Sequence, residues 1–181
     1  QYGASVHGGN NMACVACHSD VGGYPHPKLT AQDPRSYTIQ QSQTCKTCHA
    51  DQYENIRDSV HQQAFDAGNT NAPVCTDCHN PHTQKPLTDK QTGQMTVEGR
   101  VGIPQTCAKC HNGVYEQYKN SVHGSAMIGE GNPDVATCTD CHGVHQIVDP
   151  TTEQYRINSP QICAKCHTDK ALMDKYGLST D

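Results

Sequence analysis

Cys138-Thr139-Asp140-Cys141-His142 decides how this chain is read, because five other stretches repeat its spacing. Two cysteines separated by two residues and followed at once by histidine form a c-type haem attachment site. The chemistry needs that spacing: two thiols add to the two vinyl groups on one edge of a porphyrin, and the adjacent histidine is held under the iron as an axial ligand. The other pentads begin at Cys14, Cys45, Cys75, Cys107 and Cys163, pairing them with Cys17, Cys48, Cys78, Cys110 and Cys166. Their histidines are His18, His49, His79, His111 and His167, with His142 in the sixth. Six pentads use all 12 cysteines, so the expected cofactors are six covalently bound c-type haems.

Composition points the same way. Only 34% of the 181 residues are hydrophobic, with one phenylalanine and no tryptophan, and the mean hydropathy is -0.75. Such a chain lacks the apolar surface to offset its conformational entropy. Porphyrins are then the expected core and the polypeptide a thin wrap. Disulfides and zinc ribbons also use many cysteines, but neither places a histidine after every pair. Covalent haem attachment implies maturation outside the cytoplasm. The start at Gln1 without an apolar leader suggests a removed signal peptide. The net charge of -5 and the lack of a basic patch argue against a nucleic-acid partner. No apolar run reaches the length of a membrane span.

The first cysteines stand at 14, 45, 75, 107, 138 and 163, a near-constant step that marks an array. A two-haem period lies over it: Ser5-Val6-His7, Ser59-Val60-His61 and Ser121-Val122-His123 precede the first, third and fifth pentads. The expected fold is mostly irregular with short α-helices, a single haem-cored domain over 1–181 of three tandem two-haem units, about 1–56, 57–118 and 119–181. Short helices are expected after His49, after His111 and, in a third copy, from Thr168 to Tyr176. Tyr53 and Ile56, like Tyr115 and Tyr118, are three apart and share a helix face expected to pack on porphyrin. Gly and Pro break the intervening segments; 94–101 is expected to hold a short hairpin.

Six histidines lie outside the pentads: His7, His26, His61, His82, His123 and His145. Six haems and six spare histidines predict a second histidine ligand for every iron. Five recur at matched places, three in the SVH motif and two as Cys-His-Xaa-Xaa-His at His82 and His145. His26 stands eight residues after His18 instead of three. Met12, Met95, Met127 and Met173 are expected to pack rather than ligate. No catalytic residues are expected.

The pentads and spare histidines resemble the multihaem class III c-type cytochromes, bis-histidine electron carriers. The phrase from Cys138 to His145 and the SVH motifs are also similar to those of periplasmic decahaem cytochromes and extracellular cytochrome filaments. The class III resemblance implies an order in which His61 serves the haem on Cys75/Cys78 and His82 that on Cys107/Cys110. It likewise assigns His123 to Cys138/Cys141, His145 to Cys163/Cys166 and His26 to Cys45/Cys48. The expected function is electron transfer along closely spaced haems. The segment begun at Thr168 breaks off where the next SVH would fall, and Ser5-Val6-His7 supplies it. The chain is therefore expected to polymerise head to tail, with His7 ligating either in its own subunit or in the next. Its partners would be further copies, other redox proteins and extracellular electron acceptors, and its place the cell surface or beyond. The alternatives are a monomeric periplasmic shuttle and a reductase of nitrite or hydroxylamine type.

Overall fold

The computed structural model describes residues 1–180. They form two compact units, Gln1–Thr96 and the segment from Val97 onward, with three pentads in each. This single division falls inside the expected second unit, 57–118. Regular structure is helical almost throughout, in twelve α-helices with a few 3-10 turns and one π-helical turn among the described residues. The only buried apolar residues of the described chain are Ala72, Met127 and Met173, beside the buried Pro104.

In the first unit the helices are α1 (Val6–Gly9), α2 (Pro34–Ser42), α3 (Ala50–Ile56), α4 (Val60–Asp66) and α5 (Cys75–Cys78). The SVH serine proves to be a helix cap. Ser5 and Ser59 have extended backbone, and each side-chain oxygen accepts from the backbone three residues on, Gly8 N at 3.0 Å and Gln62 N at 3.1 Å. A serine there satisfies an otherwise orphaned amide and places the histidine two residues into the helix. Behind α1, Gly8 packs against the Tyr2 carbonyl with no room for a Cβ, as Gly124 does against Tyr118. That close approach is why glycine follows the histidine at these two places.

The start of the chain docks onto the loop after the third pentad. Val6 N donates to Gln84 O at 2.8 Å, and Lys85 Nζ to Ala4 O at 3.0 Å. Helix α2 opens on Asp33, whose carboxylate accepts from Ser36 N at 2.9 Å, with Pro34 in the first turn where no amide is missed. It carries Arg35, which bridges Asp77 inside the third pentad at 2.8 Å and donates to the carbonyls of Thr70 and Ala72. Asp77 in turn accepts from Val74 N at 2.7 Å, so one guanidinium fixes the entry to the pentad helix α5.

The second unit holds α6 (Val97–Val101), α7 (Ile103–Ala108), α8 (Asn112–Lys119), α9 (Val122–Gly124), α10 (Cys138–His142), α11 (Glu153–His167) and α12 (Lys170–Lys175). Ser121 caps α9 as the earlier serines do. Arg100 on α6 repeats the clamp: it meets Asp140 at 2.7 Å and donates to the carbonyls of Pro133 and Val135, while Asp140 accepts from Thr137 N at 2.7 Å. Both guanidinium–carboxylate pairs are about three-quarters buried on the arginine side, with 29% and 23% exposure. Arg100→Ala removes the donor to two carbonyls and the ion-pair partner of Asp140, which keeps only its bond from Thr137 N. It should destabilise the second unit by about 2–3 kcal/mol, read as a lower midpoint in thermal unfolding of the holoprotein.

The hairpin expected at 94–101 does not form. A lone antiparallel bridge joins Thr88 to Met95 around a turn in which Asp89 accepts from Gln91 N and Thr92 N, and the chain then enters α6. The 15-residue α11 is longer than the breakers predict and runs through Pro160. Proline at 160 cannot donate to the Arg156 carbonyl; the Ser159 hydroxyl takes that carbonyl instead, at 2.8 Å. Helix α12 forms where the third helical copy is expected. Tyr176 and Lys175 tie its end to Asp134, and Met173 is buried beneath it.

Candidate haem-binding sites

The three-residue period of the post-pentad helix puts Tyr53 and Ile56 on one face in the first unit. Tyr53 and Ile56 of α3 line one cleft with Phe65, Val74 and Cys75. In the second unit Tyr118 instead anchors a loop, its hydroxyl donating to Ala136 O at 2.9 Å. Apolar residues inside the motifs face outward: Val15 is 57% exposed, Val122 86% and Val144 54%. In a chain with so few apolar residues, outward valines beside paired thiols suit an apolar group lying over the backbone.

The histidines meet in pairs. The rings of His7 and His49 are 6.1 Å apart, those of His18 and His82 5.9 Å, and those of His123 and His167 6.1 Å. Two imidazoles bound to opposite sides of one metal, each through a bond of about 2 Å, have ring centres about 6 Å apart. Each pair joins one pentad histidine to one outside the pentads. Among the described residues no three His, Cys, Asp or Glu side chains gather as a bare metal ion would require. Opposed pairs are what an iron already held by four porphyrin nitrogens needs. The residues present therefore fit c-type haem: paired thiols, an adjacent histidine, and a second ring across from it.

The pairing differs from the order implied by the class III resemblance. His82 faces His18 of the first pentad, where the class III order gives it to the haem on Cys107/Cys110. His123 faces His167 of the sixth, not the haem on Cys138/Cys141. His7 faces His49 of the second. The reason lies in the docking of the N-terminal segment on the loop after the third pentad, which carries the ring of His82 back to His18. His7 shares in that docking, its Nδ1 lying 3.1 Å from Pro81 O. His26 sits exposed with Nδ1 2.7 Å from Val21 O, and among the described residues it meets no histidine ring. His79 lies with Nδ1 3.4 Å from Gln84 Oε1. His61, His111 and His145 also have partners within the fold.

Thiols of successive pentads approach each other. The Cys45 thiol is hydrogen-bonded to Cys75, which holds the Cys45 proton on and draws Cys75 down to about 7. Cys107 does the same to Cys138, also drawn down to about 7. Joined to haem as thioethers these sulfurs would no longer titrate; as placed, Cys45 lies beside Cys75 and Cys107 beside Cys138, so first cysteines of successive pentads stand side by side.

Two tyrosines that sequence reading missed stand next to pentad histidines. Tyr37 stacks on His18 at 6.4 Å and 13°, and its hydroxyl is 3.2 Å from His18 Nδ1. Tyr155 stacks on His142 at 5.6 Å and 6°. Each stands eight residues before the first cysteine of the next pentad, a spacing that would have revealed them. Burial, then the neighbouring Asp20 carboxylate, pushes the Tyr37 phenol up, so it stays a neutral hydrogen-bond partner. A partner on the outer ring nitrogen orients a ligating histidine and raises its basicity. Tyr37→Phe should raise the potential of the first haem by about 40 mV or less, the equivalent of about 1 kcal/mol for one electron, in a spectroelectrochemical titration.

The Cytochrome c3 family model matches residues 89–168, a span that includes the last three pentads. No curated protein and no solved structure matches the chain. The family match and the site together support a multihaem c-type cytochrome with covalently bound haem, working in electron transfer. No helix among the described residues is long and apolar enough to cross a membrane.

Proposed function

We propose that this chain is an extracellular electron conduit, with six haems each held between two histidines, that joins head to tail into a conductive filament. The observation that carries the reading is the trio of imidazole pairs at 5.9–6.1 Å, each uniting a pentad with a histidine outside the pentads. Bound haem supplies the one-electron ferric–ferrous couple. The residues of the chain fix the ligands, orient the rings through outer hydrogen bonds such as His7 to Pro81, and place successive attachment edges side by side. A ring on both sides of every iron leaves no coordination position for a substrate, which favours a carrier over a reductase. Support for the filament comes from the array itself. Its ligands reach across to other pentads, and a contact of that kind repeated between copies propagates without closing.

The test is to mix the reduced protein with nitrite and with hydroxylamine, and to image secreted material by electron microscopy. The account expects no turnover, no change of any haem to high spin, and filaments. Rapid turnover would favour the reductase, and a protein that stays monomeric at high concentration the shuttle.

A further inference from the structure

Tyr37, Asp20 and Gln41 gather behind the first pentad histidine. Tyr37 stacks on His18 within 13° of parallel, its hydroxyl oxygen 3.2 Å from Nδ1. A histidine that binds iron through Nε2 carries its proton on Nδ1, so the ring donates and the phenol oxygen accepts. The phenol hydrogen is then free for a second acceptor. Asp20 supplies it: after burial, the charge of this carboxylate and its acceptance of the phenol hydrogen are what hold the Tyr37 proton on.

The other surroundings of Asp20 leave it turned to that bond. Gln41 Nε2 donates to Asp20 Oδ2 at 3.0 Å, while Oδ1 is buried with no fixed donor on it. A buried carboxylate oxygen without a donor is costly, and the Tyr37 hydroxyl can turn its hydrogen there. Tyr37 and Gln41 are four apart on α2 and share a face. One helix thus brings both to Asp20, which follows His18 by two residues.

The fifth pentad gives the contrast. Tyr155 stacks on His142 at 5.6 Å and 6°, yet among the described residues no hydrogen bond joins its hydroxyl to that ring. The residue two after His142 is Val144. The stack recurs and the carboxylate does not. We infer that Asp20 is a positioning residue for electron transfer, acting through Tyr37 on His18 to hold the first haem below the potential its two histidines alone would set. A negative charge at the end of the series His18, Tyr37, Asp20 polarises both hydrogen bonds. The imidazole becomes a stronger donor, which favours the ferric state. This deepens the carrier reading and rests on its bis-histidine first haem, with His18 opposite His82.

The experiment is a spectroelectrochemical titration of the full holoprotein, Asp20→Asn, Tyr37→Phe and the double variant, with the electron paramagnetic resonance of each ferric protein. Asparagine keeps the shape of aspartate and removes its charge. In each single variant the same one of six reduction steps should move up, by about fivefold in its equilibrium, with every haem still low-spin. In the double variant that step should move no further than in the larger single one. In a Cys14→Ala/Cys17→Ala background, which lacks the first haem, Asp20→Asn should move no remaining step. No movement in Asp20→Asn would overturn the inference, as would a step that still moves in that background. So would an Asp20→Asn shift that persists in full beside Tyr37→Phe, since the charge would then act through space. A haem lost or turned high-spin in Asp20→Asn would make the carboxylate structural and overturn it too. A parent with high-spin ferric haem would strike the bis-histidine reading itself, and this inference with it, before any variant is made.

Discussion

Made without its haems, the chain should not fold. Apoprotein produced in a compartment without haem attachment is expected to show no cooperative thermal transition and little tertiary signal, while the holoprotein melts sharply. Ordering a backbone costs about 1–2 kcal/mol per residue, and the buried apolar residues available to offset it are Ala72, Met127, Met173 and Pro104. The clamps of Arg35 and Arg100 bind loops to pentads but bury little apolar area. The same logic applies locally. Replacing Cys75 and Cys78 with alanine removes the third haem and the group that covers the cleft of Tyr53, Ile56 and Phe65. Residues 1–96 should then lose their protection from proteolysis. A compact, protease-resistant product would show that the polypeptide packs by itself better than its composition allows.

His123→Met should leave all six haems attached, since the thioether bonds do not involve it, and should raise the potential of one haem by on the order of 0.1 V. Exchange of a strong nitrogen donor for a thioether favours the ferrous state, so one of six reduction steps moves up and the electron path acquires a trap there. The ring of His123 lies 6.1 Å from His167, so the affected haem is the sixth. In a Cys163→Ala/Cys166→Ala background, which lacks that haem, the added His123→Met should move none of the remaining steps. If a step still moves, His123 serves the Cys138/Cys141 haem as the class III order implies.

Much of this was legible in the residues. Haem attachment could be read from spacing alone, because the chemistry of a porphyrin edge fixes it. The SVH motif was legible as a recurrence but not as a mechanism; capping by Ser5, Ser59 and Ser121 shows why serine is two residues before the histidine. The post-pentad helices at Ala50–Ile56, Asn112–Lys119 and Lys170–Lys175 were readable from their three-residue apolar step and their resemblance to one another. What was not legible is which ring meets which. Arg35 meets Asp77 across 42 residues and His18 meets His82 across 64, and no local period encodes such contacts. A signal existed for the clamps, since the third and fifth pentads alone carry Thr-Asp between their cysteines. No hairpin forms at 94–101 because the segment is divided between two structures: Met95 pairs back with Thr88 across the preceding turn, and Val97–Val101 is helix.

The central claim is that six bis-histidine haems are the core and the conductor, and one combined measurement on the mature filament tests it most directly. Intact mass counts the attached haems, and the ferric spectrum reports how each is ligated. The account predicts six haems attached to each chain and a spectrum of low-spin haem alone. Fewer than six haems, or a spectrum dominated by high-spin ferric iron in assembled material, would contradict it.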